Sequence, residues 1–180
     1  MTGVRKGLAK VEVALRWDPS SAGTPANDLD IVAAVYEAAD PHGTPAYLVH
    51  FGSRSPDGTI TLNRDSSTGQ GFGFDEVMTL ELDRMAARLG RVVVGVVIQG
   101  ADTGQGPTKT FADIAGTGVR IREGHTDLAA SGFESVPDAT AATVAVFTRD
   151  ASGVWSLDAG LRGSDADPEE FARTMGAARP

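Results

Sequence analysis

The stretch Asn63–Glu76 reads N-R-D-S-S-T-G-Q-G-F-G-F-D-E and concentrates oxygen donors beside alternating glycines. Asp65, Asp75 and Glu76 offer carboxylates; Ser66, Ser67 and Thr68 offer hydroxyls; Gly69, Gly71 and Gly73 are spaced by single residues. Glycine tolerates positive φ, so such a loop can curl and turn successive carbonyls inward. Calcium takes six to eight oxygens at about 2.3–2.6 Å from these groups. Other loop chemistries fail on spacing. No Lys follows the glycines, as a phosphate-cradling P-loop requires. The glycines do not follow G-x-G-x-x-G, and a strand rather than a helix is expected after them. The span Asp65–Glu76 has EF-hand length, but its sixth position is Gln70 instead of Gly. The G-F-G-F-D segment resembles part of a calcium-binding nonapeptide repeat but occurs once. Taken alone, the loop reads more simply as a surface hairpin with solvated acids.

A second cluster shifts the balance toward a cation. Asp28-Leu29-Asp30 opens a strand, and a period of two puts both carboxylates on one face with Leu29 opposite. Two like charges side by side are costly unless water or a cation screens them. Arg64 is the nearest basic residue to either cluster in the sequence.

The elements that must position these residues are mostly strands. In K-V-E-V-A-L-R-W, Val11, Val13, Leu15 and Trp17 share one face. Further strands are read from Asp30, from Ala46, after the Pro56–Gly58 turn, from Met78 and from Gly118. The run R-V-V-V-G-V-V-I-Q is apolar throughout, which predicts a central strand buried on both faces. A-T-V-A-V-F-T-R and V-W-S-L-D flank D-A-S-G as a hairpin. Two helices are expected. One runs from Leu82 and closes at Gly90. The other follows Asp167, with Pro at the first helical position and two acids in the first turn. Many short strands with few helices predict an all-β fold, an antiparallel β-sandwich forming one domain over residues 1–180. Val11, Val13, Leu15, Val93, Val97, Val144, Val146 and Trp155 are its expected core.

The net charge of −8, from 24 acids against 16 Lys and Arg, repels phosphate backbones, so nucleic-acid partners are not expected. Without cysteine there is no disulfide, thiolate metal site or cysteine nucleophile. The first residues lack an apolar signal core, and no apolar run approaches the ~20 residues of a membrane span. A cytoplasmic protein is expected. His42, His50 and His125 form no H-E-x-x-H pattern, and no G-x-S-x-G elbow occurs, so the chain is expected to be non-enzymatic.

The order W-D at Trp17-Asp18, then D-L-D, then S-P-D-G-T-I-T, then D-x-x-T-G-x-G-x-G-x-D-E resembles the TerD tellurium-resistance family. Weaker likeness continues to the V-W-S-L-D-A-G hairpin, so nearly the whole chain is covered. The resemblance implies a β-sandwich with calcium bound by loops at one end. It implies metal ligands at Asp28, Asp30, Asp65, Thr68, Gly69, Gly71, Asp75 and Glu76. It also implies a bacterial stress or chemical-defence role, with other proteins of a stress-response complex as partners. Several positions depart from the family pattern. Ala26, Phe72, Phe74 and Gly100 stand where acids are common, Ser66 replaces an Asn, and Gln99 replaces a His. At most one calcium per chain is therefore expected, with an affinity on the order of 10⁻⁵ to 10⁻³ M. The alternative is a divergent interaction or assembly module that has lost most metal binding. Phe72 and Phe74 are expected either to fold back as a lid on the sandwich end or to contact a partner.

Overall fold

A computed structural model of the chain describes residues 7–64, 73–99 and 109–177, without the side chain of Arg64. Two antiparallel sheets of five strands pack face to face. The first sheet has the order β4-β5-β1-β7-β8, formed by β4 (Ile60–Arg64), β5 (Glu76–Glu81), β1 (Lys10–Arg16), β7 (Gly118–Glu123) and β8 (Thr126–Gly132). The second has the order β10-β9-β6-β2-β3, formed by β10 (Trp155–Ser164), β9 (Ala141–Arg149), β6 (Leu89–Ile98), β2 (Leu29–Glu37) and β3 (Tyr47–Val49).

Alternation explains which face each strand buries. Val11, Val13 and Leu15 of β1, with Met78 and Leu80 of β5, meet Leu29, Ile31, Ala33 and Val35 of β2 across the sandwich. β6 is central in its sheet and buried on both sides, as its apolar run predicts. Val92, Val94, Val96 and Ile98 face the inter-sheet core. Val93 and Val97 face away from it and join a second apolar layer beneath α1 (Pro168–Thr174). That layer corrects the expected core: Val93, Val97 and the half-buried Val146 belong under the helix side, while Val11, Val13, Leu15, Val144 and Trp155 lie in the main core. The helix itself is built as its sequence predicts. Asp167 caps it by accepting from the Glu170 N–H at 2.9 Å, and Phe171 plugs it into the sheet.

The helix expected from Leu82 to Gly90 does not form. Leu82–Arg84 is a single 3-10 turn, and Gly90 lies inside β6. The Arg149 guanidinium braces the non-helical segment. It donates to the carbonyls of Leu82, Met85 and Ala86 at 2.9–3.2 Å, two of which also accept the Met85 and Leu89 N–H groups in tight three-residue turns. The edge strand β8 carries no clear sequence signal; its T-D-L-A-A-S-G sequence has little of the β-branched and aromatic character that marks strands.

Candidate functional site

The end of the sandwich where β1 stops and β2 and β5 begin collects the acids that the sequence singles out. At the end of β1 the chain turns into the loop before β2, anchored by Trp17, whose indole N–H donates to the Asn27 carbonyl at 2.9 Å. Trp17 and Asn27 are both nearly inaccessible. The Trp17 backbone N–H donates to Asp75 Oδ2 at 2.9 Å, and the Asp75 N–H donates to the Leu15 carbonyl at 2.8 Å. One residue on, Glu76 faces the core from the first sheet and reaches the second. Its Oε1 accepts the Ile31 N–H at 2.7 Å. The acid pair Asp75-Glu76 thus ties the end of β1 to the start of β2.

Asp30 sits beside that junction. It is directly opposite Val97 in the β2–β6 register, with Leu29 on the inter-sheet face as the alternation requires. Asp30 and Glu76 are 0% exposed and Asp75 is 4% exposed. Asp28 is half-buried, and its carbonyl accepts the Gln99 N–H at 2.8 Å. Asp28, Asp30, Asp75 and Glu76 therefore lie at one end of the sandwich, with Asp30 on the Val97 face of β2 and Glu76 on the inter-sheet face. Asp65, Thr68, Gly69 and Gly71 lie outside the described residues, as do Ser66, Ser67, Phe72 and Gly100. Among the described residues, no group of three or more His, Cys, Asp or Glu is arranged to hold a metal.

Removing a carboxylate from water costs several kcal/mol, so three buried acids make this end favourable to positive charge. The backbone of Arg64 is directly opposite Glu76 in the β4–β5 register. Lys109, which sequence reading did not connect to the site, donates from Nζ to the Pro25 carbonyl and to Asn27 Oδ1, each at 2.7 Å. Asn27 immediately precedes the Asp28-Leu29-Asp30 segment, and no local signal links it to a lysine 82 positions later. The turn after Lys109 is fixed by a capping box between Thr110 and Asp113. The Thr110 N–H and hydroxyl, with Lys109 adding, hold the Asp113 carboxyl below the usual range.

At the opposite end of β4 and β5 from the site, beside Glu81, the Ser55–Thr59 turn is organised by Asp57. Its Oδ1 accepts from the Ser55 hydroxyl, from the Thr59 N–H at 3.0 Å and from the Thr59 hydroxyl at 2.7 Å. Burial works to raise the Asp57 carboxyl, but these bonds and one from Tyr47 outweigh it, holding the group below the ordinary range. Phe74 is half-buried and lies under the Arg120 guanidinium, 4.2 Å from ring centroid to Cζ. It thus folds back onto the β7 side of the first sheet.

Comparison with known proteins agrees with this architecture. A family model described as the TerD domain matches residues 1–173. A tellurium resistance protein TerD of Serratia marcescens is 25% identical over 143 residues, covering 78% of this chain and 72% of that protein. General stress protein 16U of Bacillus subtilis (strain 168) is 26% identical over 123 residues, covering 67% of this chain and 62% of that protein. A crystal structure of a telluride resistance protein (TerD) homologue from Streptomyces coelicolor A3(2) superposes with a TM-score of 0.90. It shares 53% identity and covers 96% of this chain and 100% of that one. A crystal structure of a protein of unknown function superposes with a TM-score of 0.91 at 57% identity, covering 97% of this chain and 100% of that one.

Proposed function

The chain belongs to the TerD family, and on that premise we propose that it is a non-enzymatic calcium-binding domain of a bacterial stress or chemical-defence response. The observation that carries the reading is the burial of Asp30, Asp75 and Glu76 at one end of the sandwich. The donor chemistry fits a hard cation, because carboxylate, hydroxyl and carbonyl oxygens are the groups calcium takes. Backbone N–H groups orient Asp75 and Glu76 through one oxygen each, as outer partners commonly orient metal ligands. The described acids do not complete a site by themselves. The reading therefore requires Asp65, Thr68, Gly69 and Gly71 of the loop together with Asp28, Asp30, Asp75 and Glu76. A bound calcium would supply a fixed double positive charge that screens these carboxylates and stiffens the loop.

A second reading is favoured by Lys109 and by the hydrogen bonds of Asp75 and Glu76. On it, the acids serve chiefly to cap backbone N–H groups, and the domain acts as an interaction or assembly module with other proteins of a stress-response complex. Thermal unfolding separates the two. Ligand binding stabilises the fold by RT ln(1 + [L]/Kd), about 2.7 kcal/mol at a hundredfold excess over Kd. Millimolar calcium raises the melting temperature under the first reading, and Asp30→Ala or Asp65→Ala abolishes the rise. Magnesium does less, since it demands a tighter octahedron. An unchanged melting temperature supports the interaction module.

A further inference from the structure

A cleft of about 830 Å³ lies on the first sheet, between β7, β8 and the segment around Phe111–Gly118. Its volume is in the range of small-molecule sites, roughly 300–1,000 Å³. Two arginines stand in its wall. Arg120 pairs with Ala14 and Arg16 pairs with Gly118 in the β1–β7 register, so the two are diagonal neighbours on one face. Diagonal cross-strand neighbours are roughly 7–8 Å apart, close enough for their charges to repel. Arg16 lies along the β7 backbone here, its Nε 3.5 Å from where a Cβ on Gly118 would stand. The ion pairs among the described residues involve Arg84, Arg88 and Arg122, but neither Arg16 nor Arg120. Arg120 stacks on Phe74, and its Nε is buried with no hydrogen-bond partner among the described residues. A buried donor of that kind is costly unless something accepts from it.

The rest of the lining limits what fits. Phe74, Ile114, Phe133 and Pro137 supply apolar walls. Glu134 also lines the cleft, its carboxylate over Gly132, and Asp18 lies close by over Gly116. These acids repel a polyanion but leave the Arg16–Arg120 pair available to one anionic group. We propose that this cleft binds a small organic anion, a carboxylate or phosphate monoester carrying an apolar body. The anionic group is received by Arg16 and Arg120, and the body lies along the apolar wall. Guanidinium groups suit this role because their forked donors match planar and tetrahedral oxyanions. The cleft adjoins the carboxylate end, since Phe74 immediately precedes Asp75 and Arg16 immediately precedes Trp17, but its anion-receiving groups are the two arginines rather than the acids.

Phenyl phosphate is the probe, titrated into the full chain at fixed ionic strength while backbone amide and arginine Nε–H resonances are followed by NMR. The proposal expects a saturable response centred on Arg120, Gly118 and Gly132. Arg120→Gln and Arg16→Gln should each weaken binding at least tenfold, the usual loss for a charge-assisted hydrogen bond. Benzyl alcohol, with a similar ring and no charge, should bind at least tenfold more weakly, and inorganic phosphate more weakly than the ester. Arg16 is exposed, so Arg16→Gln keeps the test decisive where Arg120→Gln disturbs folding. Three results would each overturn the assignment: a response that never saturates, one unchanged by both substitutions, or equal binding of the alcohol. Inorganic phosphate binding as tightly as the ester would remove the organic body from it.

Discussion

Glu76 offers a carboxyl group and a hydrogen bond that substitution can separate. Glu76→Ala leaves the Ile31 N–H without its acceptor in a buried place, at an expected loss of about 1–3 kcal/mol in chemical denaturation. Glu76→Gln keeps an amide oxygen for that N–H, so in chelator-treated protein it should lose less than half as much. Equal losses would show that the charge, rather than the bond, holds the β1–β2 junction. Asp57 offers a pH test with a definite sign. Its carboxyl lies below the ordinary value in the folded chain, so its contribution is present above about pH 4, the unfolded value. That contribution is lost as pH falls through the depressed folded value. The gap in melting temperature between wild type and Asp57→Ala should therefore be open at pH 7 and close as pH falls toward 3. A gap that widens on acidification would contradict the assignment. At this scale the sequence displayed the acids and their spacing clearly. It did not display their burial, since alternation reads a carboxylate as outward-facing. It also did not display Lys109, whose partners Pro25 and Asn27 are remote in the chain.

Elements were legible where local chemistry and tertiary packing agree. The Asp150–Gly153 hairpin is one case. Asp150 Oδ1 accepts the N–H groups of Ser152 and Val154, and Gly153 takes φ +82°, as a turn of that composition invites. The Leu82–Gly90 segment is the opposite case. Met85-Ala86-Ala87-Arg88 has good helix propensity, but the segment is held non-helical in tertiary contact, its carbonyls bonded by Arg149 from far along the chain. The docking of α1 has its own sequence cause in Gly95. This glycine sits at the register shift of β6 against β9, and a Cβ there would come within 2.6 Å of Phe171 Cε1 and 3.1 Å of the Ala142 carbonyl. Gly95→Ala must push the helix outward. We expect a loss of about 1–3 kcal/mol, with faster hydrogen exchange in α1 than in the β1–β5 pair. Undisturbed exchange in α1 would show that the helix is seated by other contacts.

At the scale of the whole molecule, the sandwich follows from short alternating strands, and the helix-covered second layer from one capped segment after Asp167. The two faces of the second sheet, one against the other sheet and one under α1, are what period-two reading alone could not assign for Val93 and Val97. The fold brings the Asp28–Asp30 segment and the Asp75-Glu76 pair, more than forty positions apart, to one end. Among the described residues no helix is long and apolar enough to cross a membrane. The central claim is that this end takes a single calcium ion. Isothermal titration of the chelator-treated chain with calcium tests it most directly. The account predicts a stoichiometry of one or less, a dissociation constant on the order of 10⁻⁵ to 10⁻³ M, and loss of the signal in Asp30→Ala. Two tight sites, or no heat of binding at millimolar calcium, would contradict it.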